Sequence, residues 1–249
     1  MVRGAAVLFA FTWLSVPGWG AIDLGVSWSA DWNPVLSGGW GLFFSVLVAA
    51  PFLVVALRPR AAAPAVWTLL VACGCLFVAA VISREPEIVG LLLWLLVGIG
   101  AVALPVVERW YPLSLSVQLP LLALAAVTGA PWLAYAWVMA DRNRQHRPDT
   151  DFSSGADHYS VQAALALALF ALAVLAAGWT RGQRQVGTYA AVCSIYFGAL
   201  SLGWPGYPGS VEKGWAIASV VWGVALGLWA WLPRPMTSST TSTPPAPIG

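Results

Sequence analysis

The chain has 249 residues, of which 59% are hydrophobic and only 9% charged, with a formal net charge of +2. Soluble domains carry about 25% charged residues, so too few polar side chains are present to build a water-facing shell, and lipid is the expected medium around most of the surface. The small net charge supplies no basic field for nucleic acid, and no nucleic-acid partner is expected.

A helix crossing the ~30 Å hydrocarbon core needs about 20 apolar residues. Eight stretches qualify: 4–22, 39–57, 61–83, 88–107, 113–140, 161–180, 186–204 and 214–233. Membrane strands would alternate apolar and polar residues, and "VGLLLWLLVGIGAVALPVV" does not. The expected fold is therefore all-α, an integral membrane bundle of about eight helices occupying residues 1–235. A Ser/Thr/Pro tail, "MTSSTTSTPPAPIG" over 236–249, follows as a disordered segment.

In chain order, "MVRGAAVLFAFTWLSVPGWGA" also has the basic start and apolar middle of a signal peptide. Pro17 and Trp19 fall where cleavage would need small residues, and the apolar run is long, so this stretch is read as a retained first helix. "DLGVSWSADWNPVLSGGW" (Asp23–Trp40) then sets acids among tryptophans and turn residues, and "GWPGYPGSVEKGW" (Gly203–Trp215) resembles it in composition. Together with 141–160, these are expected to form one aromatic and acidic surface over the bundle's outer end. Span 113–140 contains Pro120 and Pro131, with Gly129 nearby, a combination that kinks helices.

Close backbone approach drives helix association in lipid, so small residues four apart mark packing faces. Ala190, Ser194 and Gly198 form one such stripe, and Ser219, Gly223 and Gly227 form another. Span 161–180 is alanine-rich on several faces, which suits a central position. Cys73, Cys75 and Cys193 lie in apolar runs and are read as buried hydrophobes. Ten of the sixteen tryptophans, Trp40 and Trp179 among them, fall near span ends and are read as interfacial anchors. Trp94 and Trp222 are read as packing deeper, between helices.

Alternation of eight spans puts Arg3, Arg58, Arg60, Arg109, Arg181, Arg184 and Arg234 on one side, with Glu108 the single acid there. The other side receives nine acids and five cations. Cytoplasmic loops are enriched in Lys and Arg, so both termini are expected in the cytoplasm. Eleven arginines against one lysine, amid abundant Ala, Gly and Pro, point to GC-rich bacterial coding. The expected location is a bacterial inner membrane, with the bilayer itself as partner and a second membrane protein or another copy as a further one.

No ionisable residue falls near the middle of a predicted span. Ion-coupled transport usually keeps one there, haem held between helices wants histidine, and a retinal Schiff base needs a lysine in the bundle. Neither haem nor retinal is expected. Charge gathers instead in "DRNRQHRPDTDFSSGADHYS" (Asp141–Ser160), which holds both histidines. Helix is expected to project through "DRNRQ", placing Asp141 and Arg144 on one face. Ser154 followed by Asp157 is read as a loose capping box, with Asp157 and His158 in the first turn of the next helix, and His158 on a face with Gln162.

Two readings of that segment compete. In one, His146, Asp149, Asp151, Asp157 and His158 hold a divalent metal that activates water, or His158 with Asp157 acts as general base. In the other, Asp141, Arg142, Arg144, Arg147, Tyr159 and Gln162 form a solvated ligand or partner surface. The spacing matches no specific metal motif. The favoured function is a non-catalytic membrane component, either a small transport-related protein for a weakly charged or lipophilic substrate or a subunit of a larger complex. A membrane enzyme using the 141–160 loop is the alternative.

Overall fold

The computed structural model describes residues 2–59, 62–104, 117–146 and 151–232. Its helices are α1 (Val2–Leu14), α2 (Gly20–Val26), α3 (Pro34–Gly41), α4 (Ala50–Leu57), α5 (Ala63–Ser83), α6 (Ile88–Ala103), α7 (Leu119–Arg144), α8 (His158–Gly178), α9 (Gln183–Gly203) and α10 (Lys213–Trp231). A π-helical stretch, Leu42–Ala49, joins α3 to α4, making one continuous rod from Pro34 to Leu57. Within this rod the Ala50 N–H donates to Ser45, five residues back. Pro51, at the start of α4, has no N–H to offer either register.

Among the described residues, six helices are long and apolar enough to cross a membrane: the rod, α5, α7, α8, α9 and α10. α1 and α6 are apolar but shorter, at 13 and 16 residues. At ~1.5 Å per residue those two reach only ~20–24 Å. The predicted first span, 4–22, is therefore broken: α1 stops at Leu14, Pro17 cannot continue it, and α2 starts afresh at Gly20. The second span begins five residues earlier than expected because Pro34 serves as a helix-opening residue. Predicted residues 105–107, 113–116 and 233, and the tail 236–249, lie outside the described residues.

With short α1 and α6 included, successive helices run up and down, which collects 15–33, 84–87, 145–146 with 151–157, and 204–212 at one end. Contacts there tie them together: Ser154 Oγ donates to the Pro17 carbonyl (2.6 Å), Asn33 N–H to Asp151 (3.0 Å), and Asn143 Nδ2 to Glu85 (3.0 Å). At the opposite end the Gln118 N–H donates to the Ala177 carbonyl and its Nε2 to Gln183. Every described acidic residue lies at the first end, whereas Arg3, Arg58, Arg181 and Arg184 lie at the second.

α8 runs through the middle of the bundle, contacting α3, α5, α7 and α9, and most of its residues are buried. Its alanines let these neighbours approach without a gap-filling large side chain. An aromatic core joins α1, α6 and the rod: Trp13 stacks on Phe44 with ring centroids 5.0 Å apart, and Phe9 meets Phe52 and Trp94. Trp94 also donates to Thr12 Oγ1 at 3.2 Å. Trp40 and Trp179 are fully buried rather than interfacial, because inter-helix packing surrounds them, whereas Trp28, Trp32, Trp215 and Trp231 remain exposed. Cys73 and Cys193 are buried, and Cys75 is partly so; all three are free thiols.

α9 and α10 meet along small residues. Ser194 Oγ donates to the Ser219 carbonyl (2.8 Å) and Ser219 Oγ to that of Ser194 (2.9 Å), a reciprocal pair in the seam. Gly198 faces the Ala216 carbonyl, Gly223 faces that of Ala191, and Gly227 lies against the Ala191 methyl. Ala190 is buried on the same helix.

Candidate functional site

The polar end carries two distinct arrangements. The first is a small lid. Phe152–Ser153 and Ala156–Asp157 pair as a two-stranded hairpin, β1 and β2. Its two-residue turn is Ser154-Gly155, with φ of 53° and 82°. A tight turn of this kind needs positive φ at both positions, which glycine adopts without strain. This corrects the expected capping box: Ser154 is in the turn and Asp157 is itself the N-cap, its carboxylate accepting the Tyr159 N–H at 2.8 Å. An extended residue with a short carboxylate satisfies an orphan donor of the first turn better than one three positions earlier.

The hairpin lies over His158, which is buried. Its ring stacks on Trp40 (centroids 4.6 Å apart, planes 27° apart), and Nε2 is 2.9 Å from Ser153 Oγ. Ser153 Oγ in turn donates to Asp23 Oδ2 at 3.3 Å. The order is carboxylate, hydroxyl, imidazole. In an activated nucleophile of the triad kind the imidazole is in the middle, oriented by the carboxylate; here the hydroxyl is in the middle, and the two bonds fasten the hairpin to α2 and α8.

Asp23 was not among the sequence-derived candidates; nothing local to "AIDLG" signals that it meets residue 153. Burial pushes its carboxyl up from an ordinary 3.8 to about 7, the Ser153 hydroxyl pulls the other way, and the Asp151 charge adds a further upward push. A raised value in the fold means that the protonated form stabilises it. That contribution is complete below about pH 4 and disappears as pH climbs through about 7. We expect the thermal midpoint in detergent to fall by several degrees between pH 5 and pH 8, and Asp23→Asn to flatten that dependence. A wild-type midpoint that is level across the window would remove this account of Asp23.

The other candidates are dispersed. His146 ends α7 at a positive φ of 47° and is exposed. Asp151 receives the Asn33 N–H, and its own carbonyl accepts from the His158 N–H. Asp149 and Arg147 lie outside the described residues. Among the described residues, no three His, Cys, Asp or Glu side chains come close enough to hold a metal ion. Asp141 is bound to Arg144 (2.8 Å) and Gln145 (2.6 Å) on the projecting last turn of α7. Arg144 also donates to the Ile82 carbonyl and covers the Trp137 ring.

The second arrangement is a pair of adjoining recesses. One, about 260 Å³, lies between α7, α9 and α10 and is lined by Trp132, Tyr135, Phe197, Trp215 and Trp222 with Thr128, Pro131 and Ser219. The rings brace one another: Trp132 is 5.6 Å from Phe197 and 6.0 Å from Trp222, and Tyr135 is 5.3 Å from Phe197. Pro131 costs α7 a backbone donor here, and the Trp222 indole donates to the Leu124 carbonyl at 3.2 Å. The other recess, about 460 Å³, is polar and is lined by Arg142, Tyr159, Glu212, Lys213 and the 205–211 loop. Val211 lines both.

Tyr135 ties the two together. Its hydroxyl donates to the Gly209 carbonyl of the loop and accepts from Gln162 Nε2 at 2.9 Å. Gln162 is buried, and its side-chain oxygen fills the space where a β-carbon on Gly39 would be. Thus Arg142, Tyr159 and Gln162, read from the sequence as a surface, converge on this place. The apolar half was missed because its residues come from three distant helices and each reads locally as ordinary core. Comparison of the chain with protein-family models, curated proteins and solved structures finds no match, so function has to be read from this geometry.

Proposed function

We propose that this is a multi-pass membrane protein of a bacterial inner membrane that takes up a lipophilic molecule from the bilayer without chemically altering it, as a small transport-related component would. In this reading the chain crosses eight times, the six long helices being joined by α1 and α6. Mismatch between a short helix and the bilayer costs only fractions of a kcal/mol per Å. Both ends lie on the arginine-rich cytoplasmic side. The end that holds Arg3, Arg58, Arg181 and Arg184 has no acid among the described residues, which supports that orientation.

The aromatic cavity between α7, α9 and α10 carries the functional reading. Ligand sites are mostly apolar clefts with a few placed polar groups, and this one is walled by three tryptophans, with Ser219, Thr128 and the Tyr135 hydroxyl at its edges. Native mass spectrometry after purification in mild detergent tests it. About one amphiphile should stay bound per chain, and Ala218→Trp, which fills the cavity from its rim, should abolish retention without lowering the thermal midpoint. Wild-type protein that carries nothing, or a variant that retains as much as wild type, overturns the reading.

A further inference from the structure

The two recesses differ in chemistry yet meet at Val211, and this pairing goes further than a greasy cavity alone. On its own the apolar recess, about 260 Å³, falls just below the ~300–1,000 Å³ usual for small-molecule sites. The polar recess above it adds about 460 Å³ of polar-walled space, at the end of the bundle where the loops collect. A molecule filling both must be apolar along one part and polar at its end.

The polar recess also states a sign of charge. Arg142 enters from the last turns of α7, its guanidinium 5.8 Å from the centre of the Tyr159 ring. Lys213 enters from the first residue of α10 and is exposed to the recess. Among the described residues Glu212 is the single carboxylate on its wall, so two cations stand there against one anion. Asp141, the nearest further acid in sequence, is already engaged by Arg144 and Gln145. The start of α10 adds the positive end of its dipole, and no side chain caps it. An arginine and a lysine from separate helices, beside unfilled N–H donors, make a phosphate-sized anion the best-matched head.

We propose that the paired recesses bind a membrane lipid with an anionic, phosphate-bearing headgroup, the head between Arg142 and Lys213 and a chain along the Trp132–Trp222 wall. This rests on the preceding reading that the aromatic cavity takes an amphiphile from the bilayer, and adds which kind. The loop residue Val211 stands at the junction, where the polar head gives way to the chain. Tyr135 holds the Gly209 carbonyl of the same loop.

Native mass spectrometry titrations of the full chain with dioleoylphosphatidylglycerol and dioleoylphosphatidylcholine test the proposal. Cations near a membrane surface each contribute enough to predict a preference of about tenfold for the anionic lipid. Arg142→Gln and Lys213→Gln should each remove a part of it, and together they should bring the two lipids to equal affinity, phosphatidylglycerol losing more than phosphatidylcholine. Both positions are at the polar end, outside the buried core, and the thermal midpoint of each variant confirms that it is folded. Equal wild-type affinity for the two lipids, a preference that survives in the double variant, or tight binding of inorganic phosphate with no lipid preference overturns the headgroup assignment. Equal affinity together with loss of both lipids in Ala218→Trp leaves the cavity reading standing; binding of neither lipid to wild type removes both.

Discussion

Leucine in place of Gly198 or Gly223 is expected to part α9 from α10 and to cost the fold about 3 kcal/mol, roughly 10 °C of thermal midpoint. A β-carbon at 198 would lie 2.6 Å from the Ala216 carbonyl oxygen and 3.0 Å from the Val220 nitrogen. At 223 it would lie 2.9 Å from the Ala191 carbonyl oxygen and 3.1 Å from the Ile195 nitrogen. These obstacles are backbone, so no side-chain rotation relieves them and the helices have to separate. Separation would then stretch the Ser194–Ser219 pair, whose bonds of 2.8 and 2.9 Å have no slack. In lipid nothing hydrophobic draws the helices back together, since the tails are as apolar as leucine. Gly227→Ala is the internal control: its β-carbon would meet only the Ala191 methyl, at 3.3 Å, and the midpoint should barely move. Thermal unfolding of the three variants in one detergent orders them; leucine at 198 or 223 unfolding within a degree or two of wild type would show that the seam does not hold the two helices.

Trp40→Ala should be the most damaging single truncation, at ~3–5 kcal/mol for a fully buried aromatic. The indole lies between the Phe44 ring (4.9 Å) and the His158 ring (4.6 Å), and its Nε1 donates to the Gly18 carbonyl at 2.7 Å. Removing it opens a cavity next to the buried imidazole and leaves the Gly18 carbonyl without that donor at the turn between α1 and α2. Trp40→Phe refills part of the space but not the hydrogen bond, so its cost should be intermediate, about 1–3 kcal/mol. Hydrogen exchange distinguishes where the loss is felt. Amides of the Phe152–Asp157 hairpin and of the first turn of α8 should exchange faster in Trp40→Ala, while those of α9 and α10 keep wild-type protection. Uniform acceleration across the bundle would mean that Trp40 supports the whole core rather than the lid.

The helical class was open to sequence reasoning because the apolar runs are long and do not alternate, and backbone groups in lipid have to be satisfied within a segment. The small-residue stripes on α9 and α10 were visible for a similar reason, since a four-residue spacing is local. Boundaries failed where a local breaker outweighed hydrophobicity, as at Pro17, where an apolar run of 19 residues becomes two helices. The register of the rod was invisible: nothing in "LFFSVLVA" marks a π-helix over an α-helix.

In the 141–160 segment, the charges were evident but their partners were not. Asp157 was read one cap too late because Ser154-Gly155 was taken as the approach to a helix, whereas it is the turn of a hairpin. His158 was read as exposed chemistry, yet it is buried under that hairpin against Trp40, 118 positions away in sequence. Of the residues that line the paired recesses, the polar ones could be nominated by composition. The aromatic wall could not, because Trp132, Phe197 and Trp222 come together only through the packing of α7, α9 and α10.

The proposed lipid site requires the bundle to lie in a membrane, with its acidic and aromatic end on one face and Arg3, Arg58, Arg181 and Arg184 on the other. Single cysteines introduced into a chain lacking Cys73, Cys75 and Cys193 test it most directly, by reaction with a membrane-impermeant maleimide on intact cells. Asp31→Cys and Glu212→Cys should label from outside, whereas Arg58→Cys and Arg181→Cys should label only after lysis. Equal labelling of all four on intact cells, or recovery of the chain in the detergent-free soluble fraction, would contradict it.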